Sequence, residues 1–220
     1  MPHKMLSLLS LTTFIIIFSS LAQANDNSKR LYYAAKGGYL QAAKELVEKK
    51  GASVHYVEVN GETALLAACK NNNYPMAQFL IEKRSNLNAR DKSGVSCMHM
   101  ASKRNNMKLL KLLISKGGSV NINNNDGVTP LHEAAAIGNF AMAQLLISKG
   151  ANIKANTTQA WLPLHHAARF GHKRLASMLL QRGTPIYLRT SEGKTVFDLA
   201  RIAKDRAMLK FLSDYAKRPR

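Results

Sequence analysis

Acid is what this sequence has least of. Its 220 residues hold 13 Asp and Glu against 32 Lys and Arg, a formal net charge of +19. A balance so far from neutral turns the chain toward anionic partners or surfaces, the bland alternative being a solvated basic surface that aids solubility. Cysteine is nearly absent too, with only Cys69 and Cys97, and no Cys/His pair has the spacing of a metal site. No Gly-rich loop is placed to cradle a phosphate, and no Ser/His/Asp set suggests a nucleophile. These absences point away from an enzyme, and no cofactor is expected. Tryptophan occurs once, at Trp161. Long uncharged runs are also scarce; the one of note is Met5 to Ala24.

That run opens with Lys4, continues through an apolar stretch from Leu6 to Phe18, and ends in Ala22-Gln23-Ala24 before the polar Asn25-Asp26-Asn27. This is the layout of a secretory signal peptide over residues 1–24, cleaved between Ala24 and Asn25 at an A-x-A site formed by Ala22 and Ala24. The alternative is an uncleaved anchor, since the run is nearly long enough to span a bilayer. A periplasmic or secreted protein is therefore expected. Cleavage removes Lys4 and no acid, leaving 31 basic and 13 acidic residues, net +18. The excess is uneven: residues 93–125 and 159–191 contain no Asp or Glu. For an exported chain the anionic partner is an acidic protein or a phosphate-rich envelope surface rather than nucleic acid.

The rest of the chain repeats. Gly127-Val-Thr-Pro-Leu-His-Glu-Ala-Ala135 returns, degraded, at Gly61–Cys69, Gly94–Ser102, Ala160–Ala168 and Gly193–Arg201, at intervals of 33 residues. In the best copy Gly127 suits a turn with positive φ, Thr129 caps a helix, and Pro130 fits its first turn. Leu131 points inward, and Ala134 and Ala135 let helices approach. Gly138 or Asn139 ends this short helix. A second helix carries Met142, Leu145, Leu146 and Ile147 and ends at Lys149-Gly150. Helices of about ten residues are unstable alone in water, so stability must come from stacking unit on unit.

A 33-residue period with Thr129-Pro130-Leu131-His132-Glu133-Ala134 resembles the ankyrin-repeat family over about 31–215. The resemblance implies an all-α repeat solenoid of six stacked helix-turn-helix units joined by short β-hairpin fingers. The units are expected at 31–59, 60–92, 93–125, 126–158, 159–191 and 192–215, the terminal ones capping. A polar lead-in occupies 25–30 and a basic tail 216–220. An exported stack rich in Lys and Asn has a bacterial character. What the resemblance implies for function is a non-enzymatic protein-protein interaction module, monomeric, binding its partner on the concave face. A secreted effector acting on a host protein is the alternative.

Two sets of polar residues are read from this register. His99, His132 and His165 also recur every 33 residues. Stacked about 10 Å apart they are too distant to share a metal with bonds of about 2 Å; the resemblance implies that they and His172 are structural. Cys69 stands in the place of Ala135 and Cys97 in that of Pro130, five helical positions apart on successive units. That separation exceeds the roughly 7 Å limit for a disulfide, so two free thiols are expected, with Cys69 buried.

The resemblance also implies which positions face the partner. The residue after the turn glycine is Glu62, Val95, Val128, Trp161 or Lys194, and late helix positions hold Lys70, Asn71, Lys103, Arg104, Ala136, Ile137, Arg169 and Phe170. Val95, Lys103, Arg104, Val128, Ile137, Trp161, Arg169 and Phe170 form the candidate site, an apolar patch flanked by cations. The competing expectation is that Trp161 folds back over the turn at 156–160.

Overall fold

The computed structural model describes Gln23 and residues 26–218. Apart from Gln23, the signal segment and the cleavage residues Ala22, Ala24 and Asn25 lie outside the described residues. The chain divides into two compact units, Met1–Ala89 and Arg90–Arg220.

In the first unit α1 runs through residues 26–37, followed by α2 (Leu40–Lys49), α3 (Ala64–Lys70) and α4 (Tyr74–Glu82). Residues 26–30, expected as a lead-in, are helical and continuous with 31–37. Asn27 and Ser28 are buried there because both are bonded: Asn27 Nδ2 donates to the Lys50 carbonyl at 3.0 Å, and Ser28 Oγ accepts from the Ser53 N–H at 2.8 Å. Glu62, expected on the binding face, is instead only 4 % exposed. Tyr32 Oη donates to its Oε2 at 2.7 Å and Lys70 Nζ lies 2.9 Å from its Oε1. Burial works to raise the Glu62 carboxyl, but these bonds hold it below the usual range; burial and Glu62 together push the Tyr32 phenol up.

The second unit holds α5 (Cys97–Lys103), α6 (Met107–Ser115), α7 (Pro130–Ile137), α8 (Phe140–Ser148), α9 (Pro163–Arg169), α10 (Lys173–Gln181), α11 (Val196–Ile202) and α12 (Arg206–Ala216). The first helices α5, α7, α9 and α11 pack in succession, each with its own second helix beside it. Leu131, Ala134, Ala135, Met142 and Leu146 are fully buried between them. Asn106, Asn139 and Asp205 cap the second helices, each side chain accepting from the N–H three residues on. His172 stands where those caps stand, and its Nε2 reaches the Ala136 carbonyl instead, at 3.0 Å. Gly138 ends α7 in the left-handed region, φ 79°, and a Cβ there would strike the His172 ring.

The first helices begin with a reciprocal cap. The N–H of Ser96, Thr129 and Leu162 donates to Nδ1 of His99, His132 and His165, at 3.2, 3.1 and 2.9 Å. An N–H can only donate, so Nδ1 is the acceptor and the proton sits on Nε2. Each Nε2 then donates to a backbone carbonyl: for His99 and His132 one in the following repeat, Val128 at 2.9 Å and Trp161 at 3.0 Å, and for His165 that of Leu188 in its own repeat, at 3.0 Å. Both ring nitrogens are thus committed, which makes these histidines structural, as expected. Asp198 takes the place in α11, accepting from the Thr195 N–H at 2.9 Å.

The fingers differ from expectation. Among the described residues the only isolated β-bridge joins Val57 and Thr63, in the first unit, and no finger forms a ladder. Each is a closed turn: the N–H of Glu58, Asp91, Asn124, Thr157 and Thr190 donates to the carbonyl four residues on, at 2.9 to 3.0 Å. In the second unit the leading side chain holds the turn as well, Asp91 Oδ1 and Asn124 Oδ1 each accepting two backbone N–H groups. A turn satisfied by its own side chain has little need of a cross-strand partner.

The expectation of free thiols is overturned. Both Cys69 and Cys97 are disulfide-bonded, and both are buried. The expectation rested on counting positions along the repeat, and a count of positions is not a distance between two sulfur atoms.

Candidate functional site

The candidate site grows from the turn at 157–161. Thr157 Oγ1 accepts from the Trp161 N–H at 3.0 Å, and the Thr157 N–H donates to the Trp161 carbonyl at the same distance. The Trp161 carbonyl also takes His132 Nε2–H, at 3.0 Å. The backbone of Trp161 is therefore clamped, and its side chain is left to the surface. Ala160 precedes it with φ 55°, where the other copies carry glycine. A Cβ in this region costs about 1–2 kcal/mol, so Ala160→Gly is expected to stabilise the fold by about 1 kcal/mol in urea denaturation, without altering the Trp161 turn.

The half-buried indole packs on its own helix. Its ring lies 5.0 Å from that of His166 and 6.0 Å from that of His165, and the Arg169 guanidinium stands 5.5 Å over it. The same guanidinium is 5.8 Å from the ring of Phe170, the residue that ends α9 and is 51 % exposed. Val128, Trp161, Arg169 and Phe170 come together, with Asp126, Thr157, Thr158, Gln159 and His166, around a groove of about 290 Å³. Trp161 thus lines an open groove together with the 157–159 turn and does not close it.

The other candidates do not line this groove. Val95 is half-buried in its own turn; Lys103 and Arg104, at the end of α5, are exposed; Ile137, the last residue of α7, is 38 % exposed. Burial raises the Glu133 carboxyl while Lys103 draws it down. His166 was missed from the sequence. Burial, with smaller contributions from His132, His165 and Arg169, pushes it down to about 3, so the groove has a neutral imidazole in its wall. Its Nε2 is enclosed without a partner, while its ring sits edge-on to that of His132 at 5.6 Å. The register held the clue, because this position is Met100 in one copy and Glu133 in the next.

Family models for ankyrin repeats match residues 31–81 (many copies), 84–157 (three copies) and 161–191 (one repeat). The chain belongs to the ankyrin-repeat family. No curated protein matches it. Ankyrin repeats are in general protein-protein interaction modules. The recurring chemistry of the ankyrin unit here, the His caps, is consumed within the repeat stack. The ankyrin scaffold has no structural use for an indole, an exposed phenyl ring and a stacked guanidinium at one turn.

Proposed function

We propose that this ankyrin protein is a non-enzymatic interaction module, exported after removal of residues 1–24, that binds a protein partner through the Trp161 face of its second unit. The observation that carries the reading is the groove itself: Trp161, Phe170 and Arg169 are side-chain types that dominate interface energetics, gathered where the fold does not require them. Export is supported by the bonded state of both cysteines, because disulfides persist in oxidising compartments and are rare in reducing ones. The periplasm is the compartment this reading favours.

Affinity capture from an envelope fraction tests it. The chain is expected to retain a protein when ionic strength is raised to about 1 M, since an apolar groove tolerates screening. Loss of every captured protein at high salt would assign binding to the general basic surface and overturn the reading.

A further inference from the structure

Resting on that reading, we propose that the groove receives a peptide segment in which a bulky apolar side chain is followed by a carboxylate. The apolar side chain seats against Trp161 and His166, and the carboxylate pairs with Arg169.

Size argues for one side chain. At about 290 Å³ the groove falls at the lower edge of the roughly 300–1,000 Å³ typical of small-molecule sites. Chemistry argues for an apolar one: Val128, Trp161 and Phe170 line it, and His166 adds an uncharged ring. Arg169 then supplies the polar requirement. Stacking over both rings holds its guanidinium; the carboxylate that feels its charge, Glu192, is ion-paired with Lys194 instead. A planar guanidinium held in place offers paired N–H donors that match a carboxylate, and being weakly hydrated it gives up water easily.

The surrounding charge points the same way. Residues 90–220 hold 22 basic and 7 acidic residues, net +15, against 10 basic and 6 acidic, net +4, in residues 1–89. An acidic segment is therefore drawn to the unit that bears the groove. Asp126 lines the same groove and disfavours a second carboxylate beside it, so the acid must lie on the Arg169 side of the anchor.

Trp161 is the chain's one tryptophan, so its fluorescence reads the groove directly. The full chain is titrated with three blocked hexapeptides: one carrying Phe-Asp-Glu, one with Ala for the Phe, and one with Lys-Lys for the acids. The first is expected to shift the Trp161 emission and to bind about tenfold or more tighter than the other two. Arg169→Gln should abolish its advantage over the Lys-Lys peptide, and Arg169→Lys should restore part of it, with the circular dichroism of both variants unchanged. Equal binding of the acidic and Lys-Lys peptides, no shift with any peptide, or indifference to Arg169→Gln would each overturn the proposal. Should the peptides fail while Trp161→Ala with Phe170→Ala still abolishes partner capture, the ligand chemistry is wrong and the interaction face stands. Should capture survive that double substitution, both fall.

Discussion

Acidification from about pH 7 to about pH 4 is expected to remove several kcal/mol of the ankyrin fold's stability, the loss beginning above the range where most carboxylates titrate. The cause is the histidine set. His99, His132 and His165 accept from a backbone N–H through Nδ1 and are almost wholly buried. Burial holds all three below the ordinary histidine range, His132 at about 4, and His166 is pushed down to about 3. A folded-state value below the unfolded one means that the unfolded chain binds more protons. The stability these groups confer is therefore fully present above about pH 6.5 and is lost as pH falls toward the folded values. His132 alone accounts for about 3 kcal/mol by pH 4. That is a large part of the 5–15 kcal/mol that keeps a typical domain folded. Asp198, held at about 2 by its bonds from Thr195, adds its effect only below about pH 4. Urea denaturation at a series of pH values checks this. Near pH 5.5 unfolding should take up about two protons or more, and His132→Gln should lower that uptake by about one. A flat midpoint between about pH 7 and pH 5 would show that these histidines are not neutral and buried as described.

Replacing Trp161 and Phe170 together by alanine is expected to weaken partner capture by about a hundredfold or more while leaving helicity intact. Central aromatic residues of interfaces contribute about 2 kcal/mol or more each, and two such losses compound. Phe170 is half exposed at a helix end, so its removal should change stability little. Trp161 is held in place by backbone bonds that do not involve the indole, and these remain in the alanine variant. Capture and far-ultraviolet circular dichroism read the two effects separately. Loss of the dichroism signal along with capture would make these rings part of the core.

The fold was legible because the 33-residue period is built from residues with strict local requirements. Thr129, Pro130 and His132 each answer to one turn of one helix, and Leu131 and Ala135 to one packing layer. The groove was legible in part: Val128, Trp161, Arg169 and Phe170 meet as the register implied. What escaped depends on distances between elements. Glu62 occupies the same register position as Trp161 but is drawn into a network with Tyr32 and Lys70, contacts that no spacing in the chain announces. His166 follows His165 but lies outside the 33-residue histidine period, and its ring packs against both His132 and Trp161. The cysteine bonding escaped for a related reason, since positions counted along the chain do not give a distance through space.

The Trp161 face of the second unit is the proposed place where a protein docks. Amide hydrogen exchange on the full chain, with and without its captured partner, tests this most directly. Slowed exchange on binding is expected across residues 157–171, covering the Thr157 turn and the end of α9, with α10 and α12 unchanged. Protection confined to α6, α10 and α12, with residues 157–171 exchanging as in the free chain, would contradict it.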